Sequence, residues 1–225
     1  MLIAATDVAT GRARLFRRAE MTVEAVLASA CLPTVHHAVE IEGRAYWDGG
    51  FSANPDLVTL AAESPVGDTL IVQLNPVEKP SVPRTARDIA FDVSRVTFSQ
   101  PYIRDIAEIV AATKEPARGW FQAETRTSRI AQHRFHLIEA GRHTGSLAPE
   151  TKMRPDRAVL TQLHNAGREE TRKWLARCTG DIGKRGTADL EARFFGPLAP
   201  LKPAPAEAAD DSDDDPDDAV LGGKI

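Results

Sequence analysis

The residues with the greatest chemical content are Asp48, Gly49 and Gly50. A carboxylate at a strand end followed by two glycines can be held at a cleft mouth while the backbone beside it stays open to close approach by a substrate. Taken alone, the tripeptide is also an ordinary turn, since Asp and Gly are default turn residues. The other candidates carry less. Ser29, in Ala-Ser-Ala-Cys, is a small residue suited to tight helix packing. His36 and His37 are successive in an extended segment, so their side chains point to opposite faces, and no cysteine or carboxylate completes a metal set around them. Asp7 follows Thr6 at the end of a short apolar run, where a strand-end turn is the expected role. The aspartates from Asp210 onward lack the glycine-and-glutamate spacing of an EF-hand loop. Cys31 and Cys178 lie far apart with no partner motif and read as reduced small hydrophobes. No metal and no cofactor is implied.

Asp48 must be placed by the elements around it. Val39 to Trp47 reads as a hairpin turning at Gly43 and delivering Asp48 at its end. Leu2 to Ala5 is apolar without alternation, which suits a strand buried on both faces of a mostly parallel sheet. Ala13 to Phe16 is a second strand across the Thr10-Gly11 turn. From Thr22, a plausible N-cap, to Cys31 the pattern is helical, with Val23, Val26, Leu27 and Ala30 on one face and Pro33 as the stop. Thr69 to Leu74 is the strongest buried-strand signal, closed by Asn75-Pro76. Pro76 to Pro83 reads as a loop, and helices are expected over Thr85–Phe98 and Tyr102–Thr113, then a strand over Arg134–Ile138. Arg157 to Cys178 is the longest helix, with Val159, Leu160, Leu163, Ala166, Trp174 and Leu175 as its apolar face. A short helix, Ala188–Phe195, stops at Gly196-Pro197. Strands alternating with helices argue for an α/β layered fold.

The 225 residues suffice for one well-buried domain with a tail, and 42% apolar with 27% charged residues is ordinary for a globular chain. No apolar run approaches the roughly 18–20 residues that span a bilayer. The N-terminus lacks the basic segment and long apolar core of a signal peptide, so a cytoplasmic location is the default expectation. The net charge of −4 divides into −6 for Ala199–Ile225 and +2 for residues 1–198, a balance that does not point to nucleic acid. Four prolines from Pro197 to Pro205 lead into the aspartate cluster, and this tail is expected to be disordered.

Taken together, Ala28-Ser29-Ala30-Cys31-Leu32-Pro33, the hairpin with Tyr46 and Trp47, Asp48-Gly49-Gly50 and Asn54-Pro55 resemble the patatin-like phospholipase family. Ala5-Thr6-Asp7-Val8-Ala9-Thr10-Gly11 resembles the strand and turn before that family's helix. Phe135–Ile138, Leu160–Leu163, Gly167-Arg168, Trp174-Leu175 and Thr187–Leu190 resemble C-terminal segments of its bacterial members. The resemblance covers about residues 2–195. It implies an α/β fold, a partial three-layer α/β/α sandwich with residues 1–196 as the C-terminal part of the domain and 197–225 as a separate Pro/Asp-rich tail. It also implies a Ser-Asp dyad. A serine in a Gly-x-Ser-x-Gly elbow attacks an acyl ester, an aspartate acts as its base with no histidine between, and a glycine-rich loop stabilises the oxyanion. Asp48 matches the general base, and Gly49 and Gly50 complete its motif. The implied substrate is a lipid acyl ester, the implied role lipid degradation, with peripheral membrane contact.

The sequence departs from that pattern at the nucleophile. No Gly-x-Ser-x-Gly occurs in the 225 residues, and Gly145-Ser146 lacks the second glycine and follows the aspartate rather than preceding it. The glycine-rich loop is missing too. In the family both precede the strand that Leu2–Ala5 resembles, so the sequence predicts a truncated domain with an exposed sheet edge and apolar surface. The expected partner is a separate N-terminal fragment or a homo-oligomer. The alternative is a non-catalytic interaction module that retains the C-terminal scaffold.

Overall fold

The computed structural model describes residues 1–76, 78–79, 82–115, 125–144 and 156–197; Ser146 and the acidic tail lie outside them. The fold is α/β, with two sheets among the described residues. Strand β1 (Leu2–Asp7) turns back as β2 (Ala13–Arg17). After helix α1 (Val23–Ala28), β3 (Val39–Ile41) and β4 (Arg44–Asp48) complete a four-stranded sheet in the order β2-β1-β4-β3. Helix α2 (Leu57–Glu63) then leads to β5 (Asp68–Gln73), and α3 (Ala86–Lys114) and α4 (Arg126–Gln132) lead to β6 (Arg134–Glu139). Strands β5 and β6 form the second sheet. Helices α5 (Gly141–Thr144), α6 (Arg157–Cys178) and α7 (Leu190–Phe195) follow.

The hairpin that delivers Asp48 turns through Glu42 (φ 51°) and Gly43 (φ 74°). Two positive φ values in succession make a turn whose twist matches the flanking strands. The mostly parallel sheet expected around Leu2–Ala5 is corrected: β1 pairs antiparallel with both β2 and β4, and the parallel ladder is confined to β5 and β6. The apolar run of β1 has a different cause. It is a central strand, and Ala5, Thr6 and Asp7 at its end are buried.

Helix α1 is capped as its sequence suggests, with Thr22 Oγ1 accepting from the Ala25 N–H at 3.2 Å. Its buried face is not the expected one. Ala25 and Ala28 are fully buried, while Val23, Val26 and Leu27 are exposed. Small side chains three apart let the helix backbone lie close on β1, β3 and β4, and the larger residues turn outward. The two helices expected either side of Pro101 are a single helix, α3. Pro101 removes one backbone donor, yet it is buried with Tyr102, Ile106 and Ile109, and packing of that face holds the helix through it.

The main core gathers Leu57, Val58 and Ala61 of α2, Ile106 and Ile109 of α3, Ile130 of α4, Ile71 and Phe135 of the second sheet, and Leu190 of α7. Helix α6 covers β6 through Trp174, which meets the buried His136 ring edge-on at 5.6 Å. Its expected apolar residues Leu160 and Leu175 face outward, and Glu170 points inward instead, 3.3 Å from His143. On the side of β6 away from β5, Thr187 and Ala188 donate their N–H groups to the Phe135 carbonyl at 3.0 Å, and Arg193 of α7 reaches Glu139 at 2.6 Å. Strand β5 is buried on one face only. Ile71 and Gln73 point inward, while Leu70, Val72 and Leu74 are 44%, 59% and 61% exposed.

Candidate active site

Asp48 is the last residue of β4, registered against Ala5 of β1. Its backbone is tied on two sides. The Asp48 N–H donates to the Cys31 carbonyl at 2.8 Å, and the Asp48 carbonyl accepts from Thr6 Oγ1 at 2.8 Å. Thr6 in turn shares a hydrogen bond of 2.8 Å with Ser52 Oγ. The loop after the α1 helix, the central strand and the glycine turn therefore meet at one residue.

Gly49 to Phe51 form a single 3-10 turn, closed by the Ser52 and Ala53 N–H groups donating to the Gly49 carbonyl at 3.0 and 2.8 Å. Both glycines are required by crowding. A Cβ on Gly49 would lie 2.2 Å from the Ala4 carbonyl oxygen, and one on Gly50 would lie 2.5 Å from the Phe98 ring. The Gly50 N–H, left open by the missing side chain, donates to Asp48 Oδ1 at 2.7 Å. Among the described residues, Asp48 Oδ2 has no hydrogen-bond donor. Burial pushes the Asp48 carboxyl above its ordinary pKa, and the Gly50 N–H draws it back only in part.

Helix α3 closes the other side. Phe98 packs on Phe51 with ring centroids 4.5 Å apart, and Asn54 Nδ2 donates to the Phe98 carbonyl at 2.9 Å. Seven residues further on, Asp105 accepts from the Leu57 N–H at 2.7 Å, joining α3 to the start of α2. Phe98, Thr6, Ser52 and Asp105 were not visible as site residues in the sequence. Phe98 reads there as one more apolar helix position, and Ser52 and Thr6 as turn and strand residues.

The remaining candidates fall elsewhere. Ser29 Oγ donates to the Val26 carbonyl of its own helix at 2.8 Å, and the Cys31 thiol donates to the His37 carbonyl at 3.0 Å. His36 and His37 are exposed. Asp7 has the turn role expected of it. It accepts from the Thr10 N–H and hydroxyl at 2.9 Å and from Arg44 at 2.6 Å. The Arg44 hydrogen bond is the main reason its carboxyl is held down to about 2, with burial opposing and Thr10 assisting. Cys31 and Cys178 are both free thiols. No group of three metal-ligating side chains occurs among the described residues, and no helix among them is long and apolar enough to cross a membrane. A cavity of about 470 Å³ opens beyond the carboxyl ends of β5 and β6, between Pro76, Ile138, Glu139, Trp174 and Arg177. It shares no residue with the surroundings of Asp48.

The segment that builds this geometry, residues 6–61, matches the family model of patatin-like phospholipase. That segment is patatin-like. The match begins at Thr6, the residue that anchors the Asp48 carbonyl, and ends at Ala61 inside α2, so it spans Asp48, Gly49 and Gly50 and about a quarter of the chain. It places the patatin-like segment in a family of lipid hydrolases. No curated protein matches the chain.

Proposed function

We propose that this chain carries the general base of a lipid acyl-ester hydrolase, Asp48, and that the serine nucleophile lies outside these 225 residues, on a segment bearing Gly-x-Ser-x-Gly. The observation that supports this reading is the half-satisfied carboxylate. Oδ1 is oriented by the Gly50 N–H, whereas Oδ2 has no donor among the described residues, and burial leaves the group more basic than an ordinary aspartate. A general base needs a proton donor within about 2.6–3.2 Å, and a serine hydroxyl brought to Oδ2 would meet that requirement.

In this scheme Asp48 takes the hydroxyl proton as the serine oxygen attacks the acyl carbonyl, then returns it to the departing alcohol as the acyl-enzyme forms. A water then attacks the acyl-enzyme, and the same carboxylate takes its proton and passes it to the serine oxygen as the fatty acid leaves. The setting would be cytoplasmic, with peripheral contact to a lipid surface. The chain by itself is expected to be inactive, because no serine, threonine or cysteine among the described residues hydrogen-bonds the Asp48 carboxylate.

The test is a nitrophenyl ester assay of the chain alone, of its Asp48→Asn variant, and of each after co-expression with a fragment bearing Gly-x-Ser-x-Gly. Hydrolysis only in the pair with intact Asp48 is the expected result. Turnover by the chain alone that drops on Asp48→Asn would show that one of its own residues is the nucleophile. A stable chain that neither binds the fragment nor gains activity would favour the second reading, a non-catalytic interaction module, for which the open apolar face of β5 is the motivating observation.

A further inference from the structure

The cavity of about 470 Å³ lies beyond the carboxyl ends of β5 and β6, the place where parallel strands leave room for a ligand. Its volume falls within the range of small-molecule pockets, about 300–1,000 Å³. Leu137 and Ile138 of β6, with Pro76, give it an apolar wall, and no residue of β5 enters it. Helix α6 contributes Glu170, Trp174 and Arg177, which share one face because they are spaced four and three residues apart.

The polar groups of the wall are unequally occupied. Glu139 accepts from Arg193 Nε and Nη2 at 2.8 and 2.6 Å, and Arg193 Nη1 lies 3.4 Å from Glu78. Glu170 accepts from Lys173 at 3.4 Å and lies 3.3 Å from His143 Nε2. Each carboxylate of the wall thus has a cation of its own. Arg177 is exposed at the opening and uses only its Nε, which donates to the Lys173 carbonyl at 3.3 Å. Its terminal nitrogens meet no acceptor among the described residues. Trp174 is 5% exposed, yet its indole N–H also meets no acceptor among them. A buried indole N–H ordinarily has a partner, and here the cavity is what lies beside it.

We propose that this cavity binds a monocarboxylate with an apolar body, such as a medium-length fatty acid. The Arg177 guanidinium presents a fork that matches the two carboxylate oxygens, and the Trp174 N–H adds a third donor. One uncompensated positive charge suits one negative charge. A phosphate dianion would set its second charge against Glu139 and Glu170, with no further cation to meet it. Pro76, Leu137 and Ile138 then receive the hydrocarbon, which a small inorganic anion lacks. The inference stands apart from the hydrolase reading, since it uses neither Asp48 nor an ester bond.

The test is isothermal titration calorimetry of the full chain with decanoate at neutral pH, below the concentration at which decanoate forms micelles. One decanoate per chain is expected, with a Kd between about 1 μM and 1 mM. Each CH2 removed on going to hexanoate should weaken binding about three- to fourfold. Decanol, which has no charge, should bind about tenfold more weakly or worse. Arg177→Gln, at an exposed position, should weaken decanoate by about tenfold or more, and Trp174→Phe, which keeps the ring and loses the N–H, by about three- to tenfold. Arg168→Gln, exposed elsewhere on α6, should bind decanoate like the wild type. Absence of saturable decanoate binding, equal affinity for decanol, or indifference to Arg177→Gln would each overturn the proposal. Tighter binding of decyl phosphate than of decanoate would overturn the carboxylate assignment.

Discussion

Phe98 lies so close over Gly50 that a methyl group at position 50 would stand 2.5 Å from its Cδ1 and Cε1 atoms. Through that contact the long helix α3 covers the turn that carries Asp48, and Asn54 fastens the same helix turn by its carbonyl. The catalytic candidate is thus roofed by an aromatic ring some fifty residues later in the chain.

The two glycines should respond unequally to substitution. Gly50→Ala meets the end of a side chain that can rotate away, and should cost about 1–3 kcal/mol of stability. Gly49→Ala meets the Ala4 backbone of the central strand, with its oxygen at 2.2 Å and its carbon at 2.6 Å, which cannot withdraw without breaking the β1 ladder. It should cost more than about 3 kcal/mol. Urea denaturation of both variants, together with Gly50→Ala/Phe98→Leu, tests the ranking. Recovery of part of the Gly50→Ala loss in the double variant is expected, and equal losses at 49 and 50 would refute it.

Asp48 should make the fold more stable in mild acid. Its carboxyl is raised by burial, so the folded chain holds a proton more tightly than the unfolded chain does. Stability therefore falls as pH rises from the unfolded carboxylate value of about 3.9 through the higher folded value. Asp48→Asn removes the charge while keeping an acceptor for the Gly50 N–H. It should be more stable than the wild type at pH near 7, with the advantage fading as pH falls through the raised folded value and gone by about 3.9. Thermal melts of the two proteins across that range decide it; a constant difference at every pH would contradict the burial argument.

Trp174 is the main contact by which α6 holds β6. Trp174→Ala should cost about 3–5 kcal/mol, because it removes a buried indole and leaves His136 with an empty side. Trp174→Phe, which keeps an aromatic edge against the imidazole, should lose much less. The measurement is chemical denaturation, and a Trp174→Ala loss below about 1 kcal/mol would mean that α6 is not anchored there.

Local signals made several elements readable from the sequence. The turn at Gly43 was legible because two residues with positive φ in a hairpin demand it, and Thr22 was legible as a cap because its hydroxyl replaces a missing helical acceptor. The patatin-like order of motifs around Asp48 was legible for the same local reason. Signals that depend on distant neighbours were not. Nothing within α1 says that Ala25 and Ala28, rather than Val23, Val26 and Leu27, face the sheet, because burial there is set by how close β1 lies. Pro101 is a helix breaker by its own chemistry and is overruled by the core that Tyr102, Ile106 and Ile109 build around it. Phe98 could not be assigned to the Asp48 site, since its place there follows from the path of α3 across the glycine turn.

The second sheet has two outer sides, and they differ. On β6 the segment through Thr187 and Ala188 occupies the Phe135 carbonyl, and the Arg193 guanidinium sits at Glu139. On β5, among the described residues, Leu70 and Val72 leave their outward backbone groups without a partner beside exposed apolar side chains. An unpaired row of that kind is a template on which another strand adds, so whatever covers β5 also shields the protein from edge-to-edge aggregation.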